Sequence, residues 1–404
     1  GSEMCIRDRR KFSLMMIAAL CAGWALQGFA QHSVTIKGKV KFIEKDFKVS
    51  VYQRSGTDKK ILAEVPVNDD HTYSITVPFD KPGTATVDCG QWQDVDVWLE
   101  DENMDIDFRG IDTAKIKIKN PPYVYIRAGK KNEVMNLVNF VGYRGYQAMI
   151  AISQNVWKTK IEDQKEKSTL TNAMYDANYD NSDAWMKYIV EHYADMTSVL
   201  VPLSQLDEDK DVDLINATLI HLESTSESAK QIVADYRKKK AEEKEMRERM
   251  REGNPAPEFT FQNEKGKTIN IKKLKGKIIV LDFWASWCGP CRKEIPNVKK
   301  VYAEYKDKGI QFLSVSIDAK KEAWTKALKE EQMPWMQGWT PDAGKSVMNT
   351  YQFGGIPFII LIDKEGNIYR KNLRGEDIKN AIDDCLAGKK VAPKVVMSMG
   401  AAMM

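Results

Sequence analysis

The sequence predicts a multidomain chain: a small β-sandwich-like N-terminal domain, a helical middle segment and a C-terminal α/β domain. Three observations carry this. At 404 residues the chain is too long for one ordinary domain and suits two or three. Its hydrophobic periodicity changes twice, from short β-branched runs to helical spacing and then to alternating strands and helices. Both changes sit near breakers, at Asn120-Pro121-Pro122 and at Gly253 with Pro255 and Pro257.

In chain order, residues 1–30 come first. Arg9, Arg10 and Lys11 precede an apolar run from Phe12 through Leu26, and Gly28 and Ala30 supply small residues before Gln31. A basic start, an apolar middle and a small-residue exit read as a secretory signal peptide, with an uncleaved membrane anchor as the other reading. Export to the periplasm or cell envelope is therefore expected. Lipidation at Cys21 is poorly served by Leu20.

Residues 31–125 alternate β-branched and aromatic runs with polar turns. Val34–Val40, Val49–Gln53, Lys60–Val65, Thr72–Val77, Thr84–Cys89, Val95–Leu99 and Met104–Phe108 are the expected strands. Residues 126–252 turn helical, with Val134, Leu137, Val138 and Val141 at three- and four-residue intervals. Ser226 to Arg251 reads as one helix whose mixed-sign charges mark a solvated linker. Residues 253–390 then run hairpin, buried strand Ile278–Trp284, helix from about Pro290, buried strand Gln311–Ile317, two helices, an antiparallel pair and a closing helix. This is a βαβ half followed by a ββα half. Residues 391–404 form a tail.

Composition bounds the chemistry. A hydrophobic share of 43% with 29% charged residues is that of a globular protein with a sizeable core. The net charge of +4 is small and its basic residues are interspersed, so no nucleic-acid partner is expected. Six cysteines are too sparse for a disulfide scaffold, and only Cys288 and Cys291 lie close together.

That pair, in Trp287-Cys288-Gly289-Pro290-Cys291, stands where the strand Ile278–Trp284 gives way to a helix. Two cysteines three apart at a helix start can close a disulfide without disturbing the helix. Cys288, ahead of the first turn, faces unpaired backbone N–H groups and the positive end of the helix dipole, which favour the attacking thiolate. Lowering a thiol pKa from roughly 8.5 to about 7 takes on the order of 2 kcal/mol, and a well-placed helix terminus supplies up to roughly that amount. Cys291 lies one turn inside and is expected to be buried, so it needs a proton acceptor before it can resolve a mixed disulfide. Asp282, which interrupts an apolar strand, and Glu294, one turn beyond Cys291, are the two acids placed to help. Each also has a plain reading, as a strand-end acid and a solvated helix-face carboxylate. Gly354-Gly355-Ile356-Pro357 precedes the last strand pair, where an Ile–Pro bond can be cis at modest cost or an ordinary trans turn.

The run Asp282-Phe283-Trp284-Ala285-Ser286-Trp287-Cys288-Gly289-Pro290-Cys291, with Gly355-Ile356-Pro357 downstream, resembles thioredoxin. The added hairpin, the opening Asn254-Pro-Ala-Pro-Glu-Phe and Arg292-Lys293-Glu294-Ile295-Pro296 are similar to the exported TlpA/ResA-like branch, over about residues 253–390. The β-rich and helical parts resemble, in layout, multidomain TlpA-like proteins of Bacteroidetes with a DUF4369-type N-terminal domain. The resemblance implies a thiol–disulfide oxidoreductase with Cys288 as nucleophile, Cys291 as resolving thiol, Pro357 as a cis-proline and Asp282 as the buried acid. Glu294 then matches the active-site glutamate of the branch. Trp287, Gly289, Pro290, Ile356 and Pro357 are the expected substrate-binding positions. No cofactor beyond the redox-active Cys288–Cys291 pair is implied. The implied partners are disulfide-containing envelope proteins, apocytochrome c among them, and a membrane thiol electron donor. One departure stands out: Ser314 lies about where thioredoxin keeps a lysine paired with its buried acid.

Rival readings are weaker in residues. Structural zinc wants two such cysteine pairs, and the four histidines lie far off in sequence, so no metal is expected. A peroxiredoxin-like peroxidase would want a threonine or serine where Ala285 stands. A non-enzymatic envelope binding or assembly protein would have no need of both cysteines. The acidic alternation Asp94 to Asp107 lacks the loop spacing of a calcium site and reads as a solvated strand face. Cys89 and Cys385 read as small buried residues.

Overall fold

The computed structural model describes residues 32–55, 58–111 and 122–391. The expected signal peptide, residues 392–404 of the expected tail, and Asn120 and Pro121 lie outside the described residues. The described residues form two compact units, one of those up to Gln53 together with those from Lys59 to Ala234, the other of those from Asp235 onward together with Arg54, Ser55 and Asp58. The β-rich and helical segments thus share one unit, and the second begins inside the linker helix.

In the first unit the strands are β1 (His32–Phe42), β2 (Lys48–Ser55), β3 (Asp58–Pro66), β4 (Thr72–Phe79), β5 (Gly83–Cys89), β6 (Gln93–Leu99), β7 (Met104–Ile106), β8 (Phe108–Gly110) and β9 (Ile126–Arg127). They form two sheets, β4-β1-β7-β9 with β8 also on β1, and β3-β2-β5-β6. In β6, Val95 and Val97 point inward while Asp94 and Asp96 face out, the period-two pattern of a half-buried strand. The run expected as one strand, Met104–Phe108, is broken at Asp107 into two. β9 had no signal of its own, being two residues long, and it extends the sheet past residue 125. The acids after Asp94 do not stand free: Arg127 bridges Asp105 and Asp107 at 2.5 and 2.9 Å, and Lys131 bridges Glu100 and Asp101 at 2.6 and 2.8 Å. Cys89 is fully buried at the end of β5, and burial pushes its thiol up to about 12.

The helices of this unit are α1 (Lys130–Lys158), α2 (Gln164–His192), α3 (Leu200–Leu203), α4 (Val212–Thr225) and α5 (Glu227–Arg249), the last running on into the second unit. Two buried asparagines dock α1 on the strands. Asn132 Oδ1 accepts from Trp98 N at 2.9 Å while its Nδ2 donates to Trp98 O at 3.1 Å. Asn136 does the same for Ile126, at 2.9 and 2.7 Å. Each side-chain amide takes the place of a missing neighbouring strand, which satisfies backbone groups that burial would otherwise orphan.

The second unit holds β10 (Thr260–Gln262), β11 (Thr268–Asn270), β12 (Ile278–Trp284), β13 (Ile310–Ser316), β14 (Met336–Trp339), β15 (Phe358–Ile362) and β16 (Ile368–Arg370), with α6 (Gly289–Tyr305), α7 (Lys321–Glu331), α8 (Lys345–Tyr351) and α9 (Glu376–Leu386). The sheet order is β11-β10-β14-β13-β12-β15-β16. β12, β13 and β14 are parallel, and β15 runs antiparallel to β12. β12 is central and therefore apolar along almost its whole length. On α6, Cys291, Ile295, Val298, Val301 and Tyr305 recur every three or four residues and form its buried face. β14 was not anticipated. It contains Gly338, where the Phe261 ring of β10 lies so close that a β-carbon would fall 2.5 Å from it.

Candidate redox site

The sheet delivers the cysteine pair to the edge of the core. β12 ends at Trp284, and the chain turns through Ala285–Trp287 into α6, whose N-cap is Cys288. Asp318 pins that turn: Ser286 N and Ser286 Oγ donate to its carboxylate at 2.9 and 2.6 Å, and Ser316 Oγ at 2.7 Å. Arg292 is clamped by Glu330 and Glu331 of α7, both at 2.6 Å, so the first turn of α6 is held from two sides.

Cys288 and Cys291 are joined as a disulfide, with Cα atoms 5.3 Å apart. Cys291 N donates to Cys288 Sγ at 3.1 Å, so a helix N-terminal N–H is aimed at that sulfur. Both cysteines are buried, whereas Trp287 beside them is 68% exposed. Gly289 and Pro290 open the helix, Pro290 where a missing N–H costs nothing. The Ile356-Pro357 bond is cis, and Ile356 O lies 3.6 Å from Cys288 Sγ. Trp287, Gly289, Pro290, Ile356 and Pro357 are thus brought to one place around the sulfur pair.

Asp282 lies in the middle of β12, 5% exposed. Burial pushes its carboxyl up to about 7, opposed by the Ser314 hydrogen bond and the Arg374 charge and aided by the Glu294 charge. Glu294 is half-buried and holds a loop: its Oε1 accepts from Gly375 N and Asn297 Nδ2, both at 2.8 Å. Arg374, next to that loop, donates through Nη2 to Pro357 O and through Nη1 to Leu373 O at 2.6 Å. It thereby ties the loop before α9 to the cis-proline. A groove of about 460 Å³ borders this loop, lined by Ile356, Pro357, Phe358, Lys371, Arg374 and Arg247.

Sequence reasoning missed Asp318, Arg374 and Trp335. The Ser316-Ile317-Asp318 ending of a buried strand is a short-turn signal that was available for Asp318. Arg374 and Trp335, whose Nε1 donates to Ser314 Oγ at 2.9 Å, act across folded elements and leave no local pattern.

Comparison with known proteins places this geometry. The Redoxin family model matches residues 251–385. The thiol-disulfide oxidoreductase ResA of Bacillus cereus is 34% identical over 147 residues, covering 36% of this chain and 82% of the relative. That of Bacillus subtilis is 31% identical, covering 31% and 68%. The chain belongs to the TlpA/ResA-like branch of the thioredoxin superfamily. Among solved structures, the thioredoxin domain of a thiol-disulfide oxidoreductase from Bacteroides vulgatus is 40% identical, covers 33% of this chain and 96% of its own, and has a TM-score of 0.32. A thiol:disulfide interchange protein from Bacteroides sp. is 39% identical, covers 34% and 92%, and has a TM-score of 0.33. As a TlpA/ResA-like protein the chain is a thiol–disulfide oxidoreductase.

Proposed function

We propose that the protein is an exported disulfide reductase whose working group is the Cys288–Cys291 pair, with no further cofactor. The observation that carries this is the Cys291 N–H directed at Cys288 Sγ, beside an exposed Trp287 and the cis Ile356-Pro357 loop. In the reduced enzyme, Cys288 thiolate attacks one sulfur of a substrate disulfide. The substrate S–S bond breaks, a mixed disulfide forms, and the first substrate thiolate leaves. Cys291 then gives its proton to Asp282, and its thiolate attacks Cys288 Sγ. The Cys288–Cys291 bond closes and the second substrate thiolate departs, so two electrons have passed to the substrate. Glu294 supports this step by raising the Asp282 affinity for the proton and by holding the Gly375 loop.

Disulfide-containing envelope proteins are the proposed substrates, apocytochrome c among them, and a membrane thiol donor restores the dithiol. The basic-apolar-small pattern of residues 1–30 supports a periplasmic or envelope setting. Gly289-Pro290 between the cysteines matches thioredoxin, which lies at the reducing end of the potential scale near about −270 mV. The midpoint potential of the pair, measured alongside insulin-disulfide reduction, tests it. A potential within about 30 mV of a strong oxidant at about −120 mV would overturn the reductase direction.

A further inference from the structure

Ser314 of β13 sits in register beside Asp282 of β12. Its hydroxyl has one proton to give and lone pairs to accept with. The indole of Trp335 can only donate, and its Nε1 lies 2.9 Å from Ser314 Oγ. The serine oxygen therefore accepts there, which commits its own proton to Asp282 Oδ2 at 3.0 Å. Trp335 is itself fixed by ring contacts with Tyr302 and Phe312, at 5.3 and 6.2 Å between centroids. The dipole facing Asp282 is thus oriented by packing and not by solvent. On the other side of the carboxyl, Oδ1 is buried and makes no hydrogen bond. The two oxygens are unequal.

We propose that Trp335 and Ser314 form a donor relay that positions Asp282 as a one-sided acid–base group, Oδ2 held as acceptor and Oδ1 left to exchange the proton. This rests on the reading of Asp282 as acceptor of the Cys291 proton. During resolution Cys291 loses its proton and Asp282 gains it on Oδ1, while the Cys288–substrate bond breaks and the Cys288–Cys291 bond forms. A lysine at the Ser314 position would hold the acid by charge; the serine relay holds it by a directed hydrogen bond and leaves it protonatable near neutrality. Other groups bear on Asp282. The Arg374 cation favours the carboxylate, the Glu294 anion of α6 opposes it, and the β15 register partner is the apolar Ile359.

The test uses the full chain with carbon-13-labelled aspartate, Asp282→Asn assigning the resonance. The carboxyl is titrated in wild type, Ser314→Ala, Ser314→Thr and Trp335→Phe, and the pH profile of mixed-disulfide resolution is recorded for each. Loss of the donor destabilises the carboxylate, so Ser314→Ala moves the carboxyl midpoint upward by about one pH unit. Trp335→Phe, which keeps a ring and leaves the sheet untouched, moves it the same way by less. Ser314→Thr restores the wild-type midpoint. Coincident titrations for wild type and Ser314→Ala, or a threonine that behaves as alanine does, overturn the relay. A shifted carboxyl with an unshifted resolution profile upholds the relay and instead removes Asp282 from the proton transfer.

Discussion

A carboxyl inside a sheet titrates where its surroundings hold it, and Asp282 is held at about 7 against an ordinary 3.8. The folded protein therefore binds this proton more tightly than the unfolded chain does. The stability that results is fully present below about pH 4, falls as pH rises through the interval from about 4 to 7, and is gone above it. Asp282→Asn removes the cost of an ionised group, and chemical denaturation at pH 8 is expected to show the oxidised variant more stable by on the order of a few kcal/mol. Its mixed-disulfide resolution at pH 7 is expected to slow by roughly 10²-fold in stopped-flow measurements, the scale of a lost general base. A variant both less stable at pH 8 and unimpaired in rate would contradict the pKa and the role together. The cysteines and Asp282 were readable because motif spacing and an acid in an apolar strand are local signals, whereas the cis bond at Pro357 was implied only by the family resemblance. Trp335 could not be read, since only folding brings it to Ser314.

At the scale of elements, the strands and helices of the second unit were legible almost throughout, because buried runs and three-four spacing dominate it. β14 was the exception. Met336–Trp339 is four residues long and includes a glycine, which carries no strand signal of its own. Its place is set by partners on both sides, β13 in parallel and β10 through the Gln262–Trp339 register. Gly338 is there because the Phe261 ring covers it. Gly338→Ala is expected to displace that ring and destabilise the protein by about 1–3 kcal/mol, read as a lower denaturation midpoint at unchanged m-value. In the first unit the β-rich part was readable apart from the break at Asp107 and the two-residue β9, but the amide bridges of Asn132 and Asn136 were not. A polar residue on a helix does not disclose that it will complete a sheet.

For the molecule as a whole, charge around the groove beside Pro357 bears on which substrates it takes. Lys371 and Arg374 line it with no carboxylate among the lining residues. Lys371 Nζ spends a bond on Met250 O at 2.9 Å, and Arg374 bonds Leu373 O and Pro357 O. Carbonyl oxygens do not cancel a cation as the carboxylates on Arg292 do. Disulfide peptides with glutamates flanking the cysteine are expected to be reduced about 3–10-fold faster than lysine-flanked ones at low salt, the advantage fading toward 0.5 M salt. Lys371→Glu is expected to shrink or reverse that ratio, which general damage to the fold would not do.

The sealed thiol of Cys89 bears on fidelity. An enzyme that carries mixed disulfides risks passing the bond to one of its own sulfurs, and exchange needs an accessible thiolate. Cys89 is shut away inside a sheet with its proton firmly bound, and half-exposed Cys385 is pushed up to about 11 by desolvation. Among the described residues, then, neither of the two remaining sulfurs offers a ready thiolate to a disulfide formed at Cys288.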